Sequence, residues 1–451
     1  MNVPALLNPF SAVKQIETAE PHVVDRADGV RVWDAQDKEY IDTASALWCV
    51  NVGYGRKQIT RAMADQAERL PFFHSFNGTA NEPALLFAEQ ILGVAPASMK
   101  RVFFGNSGSD ANDSAIKLIW LYNNLRKQPQ KRKMISRTRG YHGVTVASGS
   151  LTGLQGVHQF FNLPLDGFLH VSAPDLYRSP ERDAQSYADE LESVIQENDP
   201  DTVAAFFAEP VMGTGGVLPP PKGYFQAIKK VLDRYDILFV LDEVISGFGR
   251  LGAWFGAQHF DVKPDIIVSA KGLTSNYVPM SAVIIGEAIS AALSQNRDDL
   301  GIFGHGFTTT AHPVAAAAGI ANLDIIKREG LVERAGKSGT ALLAQMQAAC
   351  SDHPLVGDVR GEGLMVGVEL VADKNRKSSF DPALGIGARM REVAKGEGIL
   401  VRALINDICA LSPPFIVSED DVAQIVSRFR RALDRLAQIL ENEGVWRPLH
   451  S

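Results

Sequence analysis

Short apolar runs alternate with longer amphipathic segments through the middle of the chain. The apolar runs predict strands in "RVFFGN", "KMISRTRG", "GFLHVSA", "TVAAFFAEPV", "ILFVLDEV", "DIIVSA" and "SAVIIG". The segments between them include predicted helices such as "SDANDSAIKLIWLYNNLRK" and "GYFQAIKKVLDRY". This alternation predicts an α/β fold, with a mostly parallel central sheet and helices on both of its faces.

The two ends of the chain show a different pattern. Near the start, "GVRVWDAQDKEYIDTAS" predicts a hairpin around "DAQDK". After about Pro313 the pattern is helical, followed by predicted strands in "GLMVGVELV" and "GILVRAL" and a last helix in "EDDVAQIVSRFRRALDRLAQILENEG". We therefore expect a large domain over residues 51–315 and a smaller α/β domain built from residues 1–50 and 316–451.

Composition narrows the function classes. The chain has 451 residues, of which 45% are hydrophobic and 22% charged, as in ordinary globular proteins. Its net charge of -7 argues against nucleic acid as a partner. Cys49, Cys350 and Cys409 are far apart and lack zinc-ligand spacing, so we expect no disulfide framework and no metal. The start lacks the pattern of a signal peptide and no run reaches the ~20 apolar residues of a membrane span, which predicts a cytoplasmic location without membrane partners.

Polar and glycine-rich stretches follow several predicted strands, at the sheet edge where such folds bind ligands. "FFGNSGSDAND" joins strand, turn and helix, and backbone N–H groups at a helix start suit a phosphate. It is not a P-loop, and an ordinary N-capped turn explains the pattern equally well. "RGYHG" places an aromatic ring and an imidazole between glycines, which suits either a flat ligand or a turn with a buried tyrosine.

Two charged groups also follow buried runs. "ILFVLDEV" ends in Asp242 and Glu243, which point to opposite faces if they lie on a strand, so they cannot act as a glycosidase pair. A carboxylate there needs a cation or hydrogen-bond donors, and a helix cap or an interdomain salt bridge would also satisfy it. Lys271 follows "DIIVSA", and an apolar setting lowers the pKa of a lysine and makes it a nucleophile. Gly272 would leave room for the chain to turn beside a ligand bound there. Without that context, Lys271 would be a structural or surface lysine.

Together these features suit one ligand, pyridoxal 5'-phosphate (PLP). It carries a phosphate, a flat ring, a ring nitrogen that needs a carboxylate and an aldehyde that needs an amine.

A resemblance to a known enzyme family makes the prediction of a PLP site more specific. The motifs "SGSDA", "GYHG", "AEPV", "LDEVISGFGRLG", "SAKGLTS" and "GHGFTTTAHPVAAAAG" occur in order, within roughly residues 25–440. The set resembles the class III (ω-) aminotransferases, a branch of the fold-type I PLP enzymes. With "ALWCVNVGYGR" and "VRALINDICALSPPF", it is similar to the amine:pyruvate and ω-amino acid:pyruvate transaminases.

The resemblance implies three catalytic residues. Lys271 would form a Schiff base with PLP and later move a proton between the substrate carbon and the cofactor. Asp242 would keep the pyridine nitrogen protonated, and Tyr141 would stack on the ring. The other implied cofactor contacts are Gly108, Ser109, His142, Glu209, Val244, Phe307 and Thr308, with Val244 expected on the same strand face as Asp242.

Further implications concern assembly and substrate. Phe307 and Thr308 would reach the phosphate of a neighbouring subunit, which implies a homodimer with shared active sites, alone or paired into a tetramer. The resemblance gives the substrate pocket aromatic walls and a movable arginine, which would bind a keto-acid carboxylate. These substrate residues are Trp48, Phe76, Tyr141 and Arg402.

The chain departs from the common family pattern at three of its residues. Asp110 stands where glutamate is usual, Thr309 where tyrosine is frequent and Ala311 where glycine is frequent. Because these positions are near the expected phosphate and interface, they leave substrate preference open.

The implied reaction moves an amino group from an amine or ω-amino acid to pyruvate or another 2-oxo acid. The products would be an aldehyde or ketone and, from pyruvate, alanine. A class III aminomutase and a dialkylglycine-type decarboxylase are alternatives on the same scaffold, as is a non-catalytic protein of this fold. Taurine, putrescine, β-alanine, 4-aminobutyrate and aryl-alkyl amines remain open as donors.

Overall fold

The structure, a computed structural model, describes residues 5–18 and 20–447. Its strands are β1 Val24–Asp28, β2 Arg31–Asp34, β3 Glu39–Asp42, β4 Met99–Gly105, β5 Lys133–Arg137, β6 Phe168–Val171, β7 Val203–Ala208, β8 Leu238–Asp242, β9 Ile266–Ser269, β10 Ser281–Gly286, β11 Val356–Glu362, β12 Met365–Leu370, β13 Ile399–Leu400, β14 Arg402–Ala403 and β15 Ile408–Leu411. Its helices are α1 Val13–Thr18, α2 Ser45–Trp48, α3 Lys57–Arg69, α4 Glu82–Leu92, α5 Gly108–Leu125, α6 Val146–Leu151, α7 Gln155–His158, α8 Ala184–Glu197, α9 Tyr224–Arg234, α10 Gly256–His259, α11 Glu287–Gln295, α12 Arg297–Leu300, α13 Pro313–Arg328, α14 Leu331–Cys350, α15 Ile386–Gly396 and α16 Glu419–Asn442.

The central sheet has seven strands in the order β4-β10-β9-β8-β7-β5-β6. Strands β6, β5, β7, β8 and β9 pair in parallel, whereas β10 is antiparallel to both of its neighbours. The mostly parallel sheet predicted from the apolar runs is therefore confirmed. Since β4 runs in the same direction as the parallel strands, its carboxyl end lies at the same edge as theirs.

Alternate residues of the central strands enter two apolar clusters, one on each face of the sheet. Phe206 of β7 and Phe239 of β8 belong to one cluster. Phe207 and Val240, their neighbours, belong to the other, which also contains Ile119 of α5. Because successive side chains of a strand point to opposite faces, a strand with helices on both sides is apolar along its whole length. This is why the strands read as continuous apolar runs.

Two smaller four-stranded sheets complete the fold, in the orders β1-β2-β3-β13 and β11-β12-β15-β14. The predicted hairpin is present as β2 and β3. The prediction of one strand in "GILVRAL" is wrong, because β13 pairs with β3 while β14 pairs with β15. The segment therefore leaves one sheet and enters the other within a few residues, which an apolar run by itself cannot reveal.

The domain boundaries at residues 50 and 315 stay predictions. The second boundary falls inside α13, which packs against α3 and α4. Residues 1–4, 19 and 448–451, which the predicted small domain includes, lie outside the described residues. Within the described part of the chain, no helix has the length and apolar character to cross a membrane.

Candidate active site

One cavity, of about 300 Å³, opens at the edge of the sheet where the parallel strands end. The segments that follow β4, β5, β7, β8 and β9 all contribute to its lining. All the cofactor residues predicted within one chain meet here: Gly108, Ser109, Tyr141, His142, Glu209, Asp242, Val244 and Lys271. The topology thus brings together residues that lie up to 163 positions apart in the sequence (271 minus 108).

The start of α5 forms one wall of the cavity. Ser107 caps the helix, since its hydroxyl accepts from the backbone N–H of Asp110 and the Asp110 carboxylate accepts from the backbone N–H of Ser107. The first backbone N–H groups of a helix have no partner within it and attract anions. Gly108 lets Val244 approach closely, because a Cβ at residue 108 would lie 3.0 Å from Val244 Cγ2.

Ser109 adds a hydroxyl to the same wall. Its Oγ accepts from the backbone N–H of Val144 at 3.2 Å, which leaves its own hydrogen to donate elsewhere. Gly143 is required beside it, because a Cβ there would lie 2.6 Å from Ser109 Oγ and its φ is +128°. Gly143, the second glycine of "GYHG", is therefore needed because a larger residue would collide with Ser109.

Asp242 ends β8 with a buried carboxylate that three hydrogen-bond donors hold in place. Its Oδ2 accepts from Asn112 Nδ2 at 2.8 Å and from His142 Nδ1 at 2.8 Å. Its Oδ1 accepts from the backbone N–H of Val244 at 3.1 Å. Because a carboxylate only accepts hydrogen bonds, His142 must carry its proton on Nδ1. His142 thus orients Asp242, in addition to lining the cavity.

Glu243 points away from Asp242, as expected for adjacent strand residues. Its carboxylate accepts from the backbone N–H groups of Gly256 and Ala257 at the start of α10, and from Ser246 Oγ. Burial raises its pKa to about 7. The two acidic residues therefore serve separate parts of the structure.

Val244 does not share a strand face with Asp242, contrary to the sequence prediction. Strand β8 ends at Asp242, and Val244 lies in the turn that follows. It still lines the cavity, because this turn folds over Gly108.

Lys271 begins a single 3-10 turn, Lys271–Leu273, directly after β9. Its φ of 40° is unusual for a residue other than glycine, so the surrounding structure holds the backbone in a strained conformation. Burial lowers the pKa of its amine below the ordinary value. Its Nζ lies 5.3 Å from the centre of the Trp48 ring.

Gly272 is needed for packing more than for the turn. A Cβ at this position would lie 2.3 Å from Asn51 Nδ2. No left-handed φ is involved at Gly272, so the room that this glycine leaves beside the turn is space for the Asn51 amide.

Glu209 follows β7 and lies fully inside the protein. Its carboxylate accepts from the backbone N–H groups of Tyr141 at 3.1 Å and Gly213 at 2.8 Å. Burial raises the pKa of Glu209 above its ordinary value. The residue therefore fixes the backbone of the "GYHG" turn and presents an acidic group to the cavity.

Trp48 and Arg402 lie together beside the cavity. The Arg402 guanidinium carbon is 4.7 Å from the centre of the Trp48 ring. The Trp48 Nε1 donates to Ser412 Oγ at 3.0 Å, and Trp48 itself has a φ of 58°. Across residues 5–18 and 20–447, no carboxylate forms an ion pair with Arg402.

Five predicted site residues are not among those that line this cavity: Trp48 and Arg402, which lie beside it, and Phe76, Phe307 and Thr308. Phe76 lines a second concave surface with residues 301–306. The Phe307 ring lies against Phe103, with centroids 6.3 Å apart, and Thr308 is exposed. Within a single chain, Phe76, Phe307 and Thr308 therefore do not line the cavity that contains Lys271.

Several residues at the site were not predicted from the sequence, and Asn112, Cys49 and Phe10 illustrate why. Asn112 looked like one polar position of an amphipathic helix, and no local signal marks its contact with Asp242. Cys49 lines the cavity, and its place directly after Trp48 was the available signal. Phe10 lies with its ring centroid 6.4 Å from that of Tyr141, far outside any motif.

The chemistry of the donor set fits PLP. The start of α5 and Ser109 offer donors for a phosphate, Asp242 offers a carboxylate for a ring nitrogen, and Lys271 offers an amine of lowered pKa. Tyr141 adds an aromatic wall.

Comparison with known proteins agrees with this fit. The sequence model of the family described as aminotransferase class-III matches residues 12–433. Diaminobutyrate–2-oxoglutarate transaminase of Halomonas elongata is 43% identical over 94% of this chain and 93% of its own. Putrescine–pyruvate aminotransferase of Pseudomonas aeruginosa is 39% identical over 96% of this chain and 94% of its own.

A solved structure matches as well. The ω-transaminase from Pseudomonas jessenii, in complex with PMP, superposes with a TM-score of 0.94 and 42% identity, over 97% of each chain.

Proposed function

The chain belongs to the class III aminotransferases, and from this premise we propose that it transfers an amino group from an amine or ω-amino acid to pyruvate. Membership of the family confirms the predicted fold type I and the predicted cofactor, PLP. The observation that carries the proposal is that Lys271, Asp242 and the start of α5 face one cavity.

PLP, when bound, supplies an aldehyde that condenses with amines and a protonated ring that accepts electrons. Asp242 would hold the proton on the ring nitrogen, and Asn112 and His142 keep its carboxylate in place for that role. Gly108 and Ser109 would bind the phosphate. Tyr141 and Val244 would pack against the two sides of the ring.

Lys271 would bind the cofactor covalently and then act as the base on the substrate carbon. A neutral amine is required for both tasks, and burial of Lys271 favours the neutral form.

Substrate recognition would combine an apolar wall with one cation. Apolar side chains line the cavity near Lys271: Leu47, Val211, Ile245, Pro279 and Met280. They suit the carbon skeleton of an amine. Arg402, which stacks on Trp48 and lacks an ion pair in the described chain, would bind the carboxylate of the 2-oxo acid and move aside for an amine without one.

The active site would be completed in a homodimer, alone or paired into a tetramer. Phe76, Phe307 and Thr308 lie away from their own chain's cavity, so they are available to a partner's cavity. Further exposed apolar side chains lie in the same two segments of the chain: Phe72, Phe73, Ile302 and Phe303. Exposed apolar side chains such as these favour association with a second copy. A cytoplasmic location stays a prediction from the sequence.

The test is a donor and acceptor panel with the purified holoenzyme. Taurine, putrescine, β-alanine, 4-aminobutyrate and an aryl-alkyl amine would each be incubated with pyruvate, 2-oxoglutarate or glyoxylate. Alanine formed from pyruvate, equal in amount to the aldehyde or ketone released, is the expected result. Carbon dioxide release would indicate a decarboxylase and transfer within one molecule would indicate an aminomutase; either as the main reaction overturns the proposal.

A further inference from the structure

Asn106 lies between the end of β4 and the start of α5, and it lines the active-site cavity. Its backbone N–H donates to the Asp110 carboxylate, at 2.9 Å to Oδ2. Its side-chain Oδ1 accepts from Thr309 Oγ1 at 2.7 Å. Both ends of the residue are therefore fixed, one by the helix cap and the other by a segment 203 positions away.

The Asn106 amide faces Thr309 with its oxygen. A carboxamide carries an acceptor oxygen on one side and an NH₂ donor on the other. Because Thr309 engages the oxygen, the NH₂ group is left to donate to another partner. Asn106 thus adds an oriented donor to the wall that Ser107, Gly108 and Ser109 form.

Because few cationic side chains line this cavity, the orientation of the Asn106 amide affects how well a phosphate can bind. Lys271 is the one lysine among the residues that line the cavity, arginine is absent from them, and the reaction uses its amine elsewhere. The Asp110 carboxylate accepts from Asn106, Ser107 and Ser281 Oγ, so it is directed at these donors. A phosphate here depends on neutral donors. An Asn106 amide turned the other way would present its oxygen to the phosphate and repel it.

We propose that Asn106 Nδ2 donates to the phosphate of PLP, and that Thr309 is a positioning residue that holds the Asn106 side chain at the cavity wall through its hydroxyl. This inference rests on PLP as the cofactor. It gives Thr309, which stands where the family frequently has tyrosine, a role in its own subunit's site. Thr308, its neighbour, is proposed to serve the partner's phosphate, so the segment 307–309 would contact both sites of a dimer.

The experiment measures equilibrium binding of PLP to the dialysed full-length chain. Thr309→Val removes the hydroxyl at constant volume and should weaken PLP binding about tenfold, since the phosphate is charged. Thr309→Ser keeps the hydroxyl and should stay within about twofold of the original chain. Asn106→Ala should lose about tenfold or more, and adding Thr309→Val to it should change nothing further.

Pyridoxal, which lacks the phosphate, separates this role from a structural one. We expect all four variants to bind pyridoxal as the original chain does. Equal losses for PLP and pyridoxal, additive losses in the double variant, or no loss in Thr309→Val would overturn the inference. If the original chain binds PLP but moves no amino group, the proposed function fails while this inference can still hold.

Discussion

The side-chain amide nitrogen of Asn112 lies 2.8 Å from Oδ2 of Asp242 and 2.7 Å from the backbone oxygen of His142. One NH₂ group thus joins helix α5, the "GYHG" turn and the end of β8. Asn112 is buried, so removing it would take the donor from the His142 backbone oxygen and leave Asp242 Oδ2 with His142 Nδ1 alone, in a place where water cannot easily replace it.

Asn112→Leu should slow the half-reaction with an amine donor by about tenfold or more, because a charged hydrogen bond to Asp242 is lost. The rate would be followed by stopped-flow absorbance of the loaded enzyme. Asn123→Leu is the matched control, since Asn123 is buried on the same helix and donates to the Lys131 backbone oxygen, away from the cavity. If both variants lose stability but keep the original rate, Asn112 has no role in positioning Asp242.

Lys271→Ala should abolish turnover with every donor, because neither the covalent bond to PLP nor the proton transfer can then occur. Borohydride reduction, which fixes PLP to a lysine, should no longer label the chain. Lys131→Met provides the control: Lys131 is also a buried lysine, but its amine donates to the backbone oxygens of Tyr235 and Asp236. Retained turnover in Lys271→Ala would refute the assignment.

Glu243 should give the unfolding free energy a pH dependence of known sign. Its pKa is about 7 in the folded chain, against an ordinary value of 4.5. Between these values the folded state keeps a proton that the unfolded state has released, so stability falls as pH rises through this window, and the loss is complete above about pH 7.

Glu243→Gln should therefore show a flatter melting temperature between about pH 5 and pH 7.5 than the original chain. It should also be less stable overall, because a carboxamide cannot accept from both Gly256 and Ala257. The exposed residue Glu287, changed to glutamine, serves as the control. Parallel pH profiles for Glu243→Gln and the original chain would contradict the prediction.

The sequence predicted the structure best where the pattern of a single strand or motif determines the local fold. The central strands were predictable because a strand covered on both faces is apolar throughout. Asp242 and Lys271 could be placed at one sheet edge because both follow such strands. Asn112 could not be found, because its partner lies 130 positions away and a polar residue on a helix usually faces solvent.

The lack of long-range information in a local sequence pattern also explains what was predicted wrongly or not at all. "GILVRAL" is apolar and strand-like, yet its two halves join different sheets, which depends on distant pairing partners. The turn at residues 45–48 has left-handed φ values at Ser45, Ala46 and Trp48, and packing against residues distant in the sequence holds it. Local patterns carry no information about such strain.

Arg402→Ala should harm the half-reaction with pyruvate far more than the half-reaction with an amine that lacks a carboxylate. A bidentate pair with a carboxylate contributes roughly 1.5–3 kcal/mol, which predicts a loss of about tenfold to a hundredfold for pyruvate. Arg402→Lys keeps the charge without the planar fork and should be intermediate. Equal losses in both half-reactions, measured separately by single-turnover kinetics, would rule out the role in acceptor binding.

Gly272→Ala should destabilise the chain and lower its PLP content, because the new Cβ would lie 2.3 Å from Asn51 Nδ2. Arg250 donates to the Asn51 Oδ1 at 2.6 Å, so Asn51 cannot easily retreat. The clash must then move the turn that carries Lys271, at about 1–3 kcal/mol for an overpacked site. The melting temperature and the PLP bound per subunit would report the two effects.

Two further variants test whether that contact is the cause. Gly156→Ala, at a glycine whose added Cβ would meet nothing within 4 Å, should leave both measurements near those of the original chain. Asn51→Ala, combined with Gly272→Ala, should cost less than the sum of the two single changes, since removing the amide removes the clash. Additive losses would mean that Gly272 is required for another reason, such as the backbone conformation beside Lys271.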